Sequence, residues 1–274
     1  MRDNVRPTID EYLANMGVAG SRICEIDASE AGAGNISICL DELPRVREVF
    51  PISERIELPL PAPALAGRTL LVTGSGRRLR QIKNDPAANI GAVIVEADGL
   101  HGELLTSPRR EFAKLTSEFN SHLAVHNDQI GTRDLWFHAT VHAQPPHLTF
   151  LSHIEKYRTD AAMNGAILRW EPESIVALSE GIGVLEFMVP GSAELMAANV
   201  AGLREYQIVL WSKHGVMARS DLSVTRAVDR IEYAETGAKY EHMNLSAGGV
   251  GEGLSKAEIR AVAEAFGVSS PWLG

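Results

Sequence analysis

The sequence predicts a mixed α/β layered domain, and three observations predict it. Helical periodicities and short apolar strands alternate irregularly along the chain, as they would not in a regular doubly wound sheet. Hydrophobic residues make up 45% and charged residues 22% of 274 positions, the balance of a globular protein. No internal repeat or low-complexity segment interrupts the pattern, so residues 1–274 read as one domain.

From the N-terminus, Thr8-Ile9-Asp10-Glu11 has the form of a capping box and predicts a helix running toward Ala19, with a less regular stretch from Ser21 to Asp27. Glycines 32 and 34 make a turn into a strand at Ile36–Leu40. Pro51 to Pro63 holds four prolines and reads as an irregular surface excursion. Strands follow at Thr69–Thr73 and Ile90–Val95, both interior, ended by Gly74-Ser75-Gly76 and Ala97-Asp98-Gly99. Ser117 to Ile130 is helical, and Leu135 to His142 is a strand that Pro145-Pro146 stops. Further strands are expected at 166–170, 175–178, 182–187 and 207–211, with a helix between Ser192 and Gln207. Val224, Ala227, Val228, Ile231, Ala234 and Ala238 recur at helical spacing, and Ser255-Lys256-Ala257-Glu258 caps a last short helix.

Composition excludes several classes of function. With 26 Lys+Arg against 35 Asp+Glu the formal net charge is −9, which argues against nucleic acid as a general partner. No apolar run approaches the roughly 18–20 residues of a membrane span, and Met1-Arg2-Asp3-Asn4 has no signal-peptide core, so no membrane association and a cytoplasmic location are expected. Cys24 and Cys39 fit no CxxC pattern and read as two buried thiols.

The glycine-rich turns match no nucleotide motif: position 79 is Leu, where GxGxxG needs Gly, and no Gly-Lys-Ser/Thr follows. Gly74-Ser75-Gly76 and Gly34-Asn35-Ile36-Ser37 are either plain turns or two lobes of one anion pocket. Of nine histidines, four lie between His138 and His153. On one strand His138 and His142 share a face but stand roughly 13 Å apart, too far to grip one ion, whereas His142 and Gln144 are about 6.6 Å apart. The prolines that follow would turn His147 back toward them. His122 and His126 are i, i+4 on a helix, but without the Glu of HExxH they read as a solvated helix face. Glu118, after Thr116-Ser117, is either a helix-terminal group or a general acid/base beside a metal, and Lys213-His214-Gly215 would supply a ligand from far along the chain. On residues alone, a metal enzyme and a ligand-binding module both stand.

The segments Gly34-Asn35-Ile36-Ser37, Val72 through Gly76, Asp85 through Asn89 with Gly91, Thr116-Ser117-Glu118, Met188-Val189-Pro190-Gly191 and Trp211 through Val216 share order and spacing with one family. By these the chain resembles the class II aldolase/adducin family over nearly its whole length. The resemblance implies a central, mainly antiparallel sheet flanked by helices and a homotetramer with active sites at subunit interfaces. It also implies a small sugar phosphate as substrate and a divalent metal, zinc first. The implied activity is reversible cleavage of a ketose 1-phosphate, L-rhamnulose 1-phosphate in the leading reading, to dihydroxyacetone phosphate and an aldehyde. A related sugar-phosphate epimerase, an aldolase of other specificity, or a non-catalytic adducin-like binding protein are the alternatives.

Carried onto this sequence, the resemblance implies His142 and His214 as metal ligands, Glu118 and Glu173 as catalytic carboxylates, and Asn35, Ser75, Gly76, Thr116 and Ser117 as phosphate-binding positions. The chain departs from the family at two places. The family's HxH reads His142-Ala143-Gln144, so Gln144, or His147 in its stead, would complete the ligand set, and an oxygen donor shifts preference toward manganese or magnesium. Gly32 stands where an asparagine helps to hold the phosphate in the relatives most like it.

Overall fold

The computed structural model describes residues 6–272, so the Met1–Asn4 start lies outside the described residues. Its nine strands are β1 (Asn35–Leu40), β2 (Ile52–Glu57), β3 (Thr69–Thr73), β4 (Ile90–Val95), β5 (His101–Thr106), β6 (Phe137–Ala143), β7 (Gly183–Leu185), β8 (Ile208–Trp211) and β9 (Gly215–Ser220). They form one sheet in the order β2-β5-β4-β3-β1-β6-β9-β8-β7. Every neighbouring pair is antiparallel except β7 with β8.

The register at the centre of the sheet builds the site. Asn35 stands opposite His142, Ser37 opposite Thr140 and Cys39 opposite His138 across the β1–β6 ladder. Side chains alternate along a strand, so these residues share one face, while Ile36, Ile38, Leu40, Phe137, Ala139 and Val141 share the other. The apolar face joins the main core with Met16, Ala19 and Ile23 of helix Ile9–Glu25 and Ala227, Ile231 and Ala234 of helix Val224–Ser246. The polar face is covered by helix Phe119–Arg133, whose His122 and His126 hydrogen-bond to Ser37. Both faces are therefore buried, and the polar side chains there must find partners inside the protein.

Helix caps agree with the sequence. Thr8 and Glu11 form the predicted capping box, as do Ser255 and Glu258, and Ser192 and Ser223 cap the helices that follow them. Such caps each contribute about 1 kcal/mol. Helix Ile9–Glu25 runs past Ala19 because Met16, Ala19, Gly20 and Ile23 continue one buried stripe.

Four expectations are corrected. The 51–63 stretch contains edge strand β2 paired with β5, since three of its prolines come after the strand and Pro51 immediately precedes it. Its pattern is almost wholly exposed, as suits an edge. Residues 166–170 are the end of helix Asp160–Ile167 and the turn after it, set by the Thr159 cap. Residues 175–178 belong to helix Pro172–Ala177 and its C-terminus, with proline at the first helical position. Cys39 is fully buried, but Cys24 is only half-buried.

Candidate active site

Glu118, His142 and His214 come from three separate segments and converge, their ligand atoms all within 4.8 Å of one another. Glu118 precedes helix Phe119–Arg133, but its side chain does not cap that helix. The carboxylate instead accepts a hydrogen bond from Asn35 Nδ2 at 2.9 Å and is 4% exposed. His142 comes from the end of β6 and His214 from the three-residue β8–β9 turn, where Lys213 takes a positive φ of 65°. Gly215 has no room for a side chain, since a Cβ there would lie 2.4 Å from the Ala143 carbonyl oxygen.

The donor set fits a divalent cation. His142 Nε2 and His214 Nε2 stand 3.6 and 3.9 Å from the two Glu118 oxygens, too long for hydrogen bonds. They are near the ~3.4 Å separating neighbouring ligands of a tetrahedral ion with bonds near 2.1 Å. His142 Nδ1 donates to the Val216 carbonyl at 2.8 Å, which turns Nε2 toward the carboxylate. Burial and the neighbouring His142 push His214 down to about 4, so its ring is neutral at neutral pH, as a ligand must be. Burial opposes the charge on Glu118, but His142 and the Asn35 amide outweigh it and hold the carboxyl below its ordinary value.

Trp211 and Asn199 escaped sequence reasoning. The Trp211 indole stacks on His142 and touches His214, and its Nε1 donates to Asn199 Oδ1 at 2.5 Å. An apolar strand end flanking the His214 turn was the available signal.

The three groups open into a cavity of about 220 Å³. Ser75, Gly76, Thr116 and Ser117 line it, because an antiparallel bridge between Gly74 and Leu115 lays one segment beside the other. The Ser75 N–H is engaged by the Lys114 carbonyl at 2.8 Å, so that turn offers the cavity the Ser75 hydroxyl and the Gly76 backbone. Asn35 lines the cavity too, but its amide is held at both ends, by Glu118 and by His122 Nε2. Gly32 lines the cavity beside Gly76, and a Cβ there would stand only 3.2 Å from the Gly76 carbonyl oxygen, so a larger residue would need that turn to shift. Gln144 also lines the cavity.

Two residues are not brought in. His147, at the start of helix Pro146–Leu151, is turned away: its Nδ1 is paired with Glu235 at 2.6 Å, and Glu235 also takes the His147 and Leu148 backbone N–H groups. His147 is thereby part of a helix start, which corrects the expectation that the prolines return it to His142. Glu173 lines a different cavity with Arg226, Tyr233 and Phe266. His122 and His126 do not form a solvated face; both are fully buried.

Comparison with known proteins agrees with this arrangement. The class II aldolase and adducin N-terminal domain matches residues 16–242. The rhamnulose-1-phosphate aldolase of Escherichia fergusonii is 31% identical, with 88% of each chain covered. That of Bacteroides thetaiotaomicron is 29% identical over 95% of this chain and 96% of its own. Among solved structures, a sugar-phosphate aldolase from Thermotoga maritima superposes with a TM-score of 0.74 at 31% identity, covering 88% of this chain and 97% of that one.

Proposed function

Because the chain belongs to the class II aldolase and adducin family and is an aldehyde-lyase like its aldolase relatives, we propose that it cleaves L-rhamnulose 1-phosphate reversibly to dihydroxyacetone phosphate and L-lactaldehyde. The observation that carries this reading is the convergence of the Glu118 carboxylate with His142 and His214 at the wall of a cavity rimmed by hydroxyls and backbone.

His142, His214 and Glu118 would hold a divalent cation, with Gln144 as the further donor; zinc is the first choice, and manganese or magnesium suit the added oxygen. Such an ion supplies positive charge against the negative charge that develops on the substrate's carbonyl side as the carbon–carbon bond breaks. Cleavage removes a proton from the C4 hydroxyl, breaks the C3–C4 bond and returns a proton to C3. Glu118, ionised at neutral pH, takes that C3 hydrogen in the synthetic direction and, by microscopic reversibility, delivers it during cleavage. Ser75, Gly76, Thr116 and Ser117, with Asn35 beside them, would fix the phosphate by hydrogen bonds. Glu173 would handle the hydroxyl proton, supplied across a subunit boundary in a cytoplasmic homotetramer, since within one chain it lines a separate cavity.

One observation favours a second reading. Gln144 replaces a histidine donor and so weakens the ligand set, which suits an adducin-like binding role or a related sugar-phosphate activity. Cleavage of L-rhamnulose 1-phosphate by purified protein, with zinc, manganese, magnesium and chelator in parallel, separates the readings. Cation-dependent dihydroxyacetone phosphate supports the aldolase; no product with any ion, from folded protein, rejects it.

A further inference from the structure

Behind Glu118 a chain of polar side chains runs through the core between the sheet and helix Phe119–Arg133. Asn35 Nδ2 meets Glu118, Asn35 Oδ1 meets His122 Nε2, and His122 Nδ1 lies 2.7 Å from both Ser37 Oγ and Thr140 Oγ1. Ser37 Oγ also lies 2.7 Å from His126 Nε2, and His126 Nδ1 lies 2.7 Å from His138 Nδ1. Ser37, Thr140 and all three histidines are fully buried. At His138 Nε2 the chain ends without a partner. None of these histidines touches the cavity.

The direction of each bond at the Glu118 end is determined. A carboxylate only accepts, so the Asn35 atom on Glu118 is the amide nitrogen. The Asn35 oxygen then faces His122 Nε2, which must carry the hydrogen. Burial and His126 push His122 down to about 3, so its ring is neutral and its Nδ1 is a bare acceptor for a Ser37 or Thr140 hydroxyl. An asparagine amide is otherwise free to turn over, which would place its oxygen against the Glu118 carboxylate.

We propose that His122 is a positioning residue: its Nε2–H locks the Asn35 amide in the one orientation that donates to Glu118, and Ser37, Thr140, His126 and His138 lock His122 in that tautomer. Asn35 is therefore a holder of Glu118 before it is a phosphate ligand. The inference rests on the aldolase reading only for its kinetic consequence.

The test is nitrogen-15 NMR of the full-length protein, combined with kinetics of His122→Leu and His122→Gln. In the unmodified protein the His122 ring should show a protonated Nε2 and an unprotonated Nδ1, and the Asn35 side-chain amide pair should exchange slowly. His122→Leu should lose the slow amide pair and lower kcat about tenfold or more with little change in KM. Glutamine places an N–H where Nε2 stood and should recover most of both. A His122 ring protonated at Nδ1, or an Asn35 amide in the leucine variant that still exchanges slowly, overturns the proposal. So does an equal kcat loss in the two variants. If leucine prevents folding, the tautomer of the unmodified protein decides, and it decides equally if no aldolase activity is found.

Discussion

The imidazole of His142 lies nearly parallel to the indole of Trp211, with ring centroids 4.4 Å apart and 18° between the planes. With the Nδ1 bond to Val216, this stacking leaves the ring no freedom to turn its Nε2 away from Glu118. Trp211 is in turn held by Asn199, which bonds Ser121 on the neighbouring helix.

Trp211→Phe keeps a ring under His142 but leaves the Asn199 oxygen without its donor. An unsatisfied buried acceptor costs about 1–3 kcal/mol, so the denaturant midpoint should fall accordingly while cation binding survives. Because the indole adjoins both histidines, tryptophan fluorescence of the unmodified protein should change on adding zinc. Unchanged stability would mean that Asn199 does not depend on the indole.

Glu118→Gln removes the proton-accepting charge while keeping the shape. The rate constant kcat should fall by about 10²–10⁴-fold. Metal analysis after gel filtration should still find the cation, held more weakly by the two histidines. A variant with full turnover would remove Glu118 from the chemistry.

Gln144→His should raise zinc affinity by about tenfold or more, read by competition with a chelating dye, because imidazole is the better zinc donor. Unchanged affinity would place Gln144 off the ion. His147→Ala should leave zinc affinity as it is and lower stability, since His147 is paired with Glu235 at the start of its helix. Lost zinc there would reinstate His147 as a ligand.

The buried histidines predict acid sensitivity. Burial pushes His122 and His138 down to about 3, and His126 well below its ordinary value. The unfolded chain therefore binds protons near pH 6.5 that the folded one refuses. Stability from these groups is fully present above pH 6.5 and is lost as pH falls from 6.5 toward 3. The slope is roughly 1 kcal/mol per pH unit for each histidine. Denaturant midpoints from pH 7 to 5 should fall, and His126→Gln should fall less steeply; equal slopes would contradict the assignment.

The layered fold and the residues that converge on the cavity are legible because they lie in local signals. Capping boxes at Thr8 and Ser255 mark helix starts, and short motifs around Glu118 and His214 carry the family pattern. The histidine chain was not legible, because His122 and His126 at i, i+4 look the same on a wet face as on a buried one. Only the pairing of Ser37 with Thr140 across β1 and β6 shows that polar residues line the sheet beneath that helix. The place of His147 is hidden for a similar reason: two prolines fix a bend but not its direction, and the buried Glu235, 88 residues away, decides it. The strand expected at 175–178 is a helix instead, because Pro172 at its first position starts one.

The most direct test of the central claim needs neither the aldehyde nor the full reaction. Dihydroxyacetone phosphate is incubated with the protein in deuterium oxide, with and without a divalent cation, and hydrogen on the hydroxyl-bearing carbon is followed by proton NMR. The account predicts replacement of one of the two hydrogens there, dependent on the cation and absent in Glu118→Gln. No exchange with zinc, manganese or magnesium, from protein shown to be folded, would contradict it.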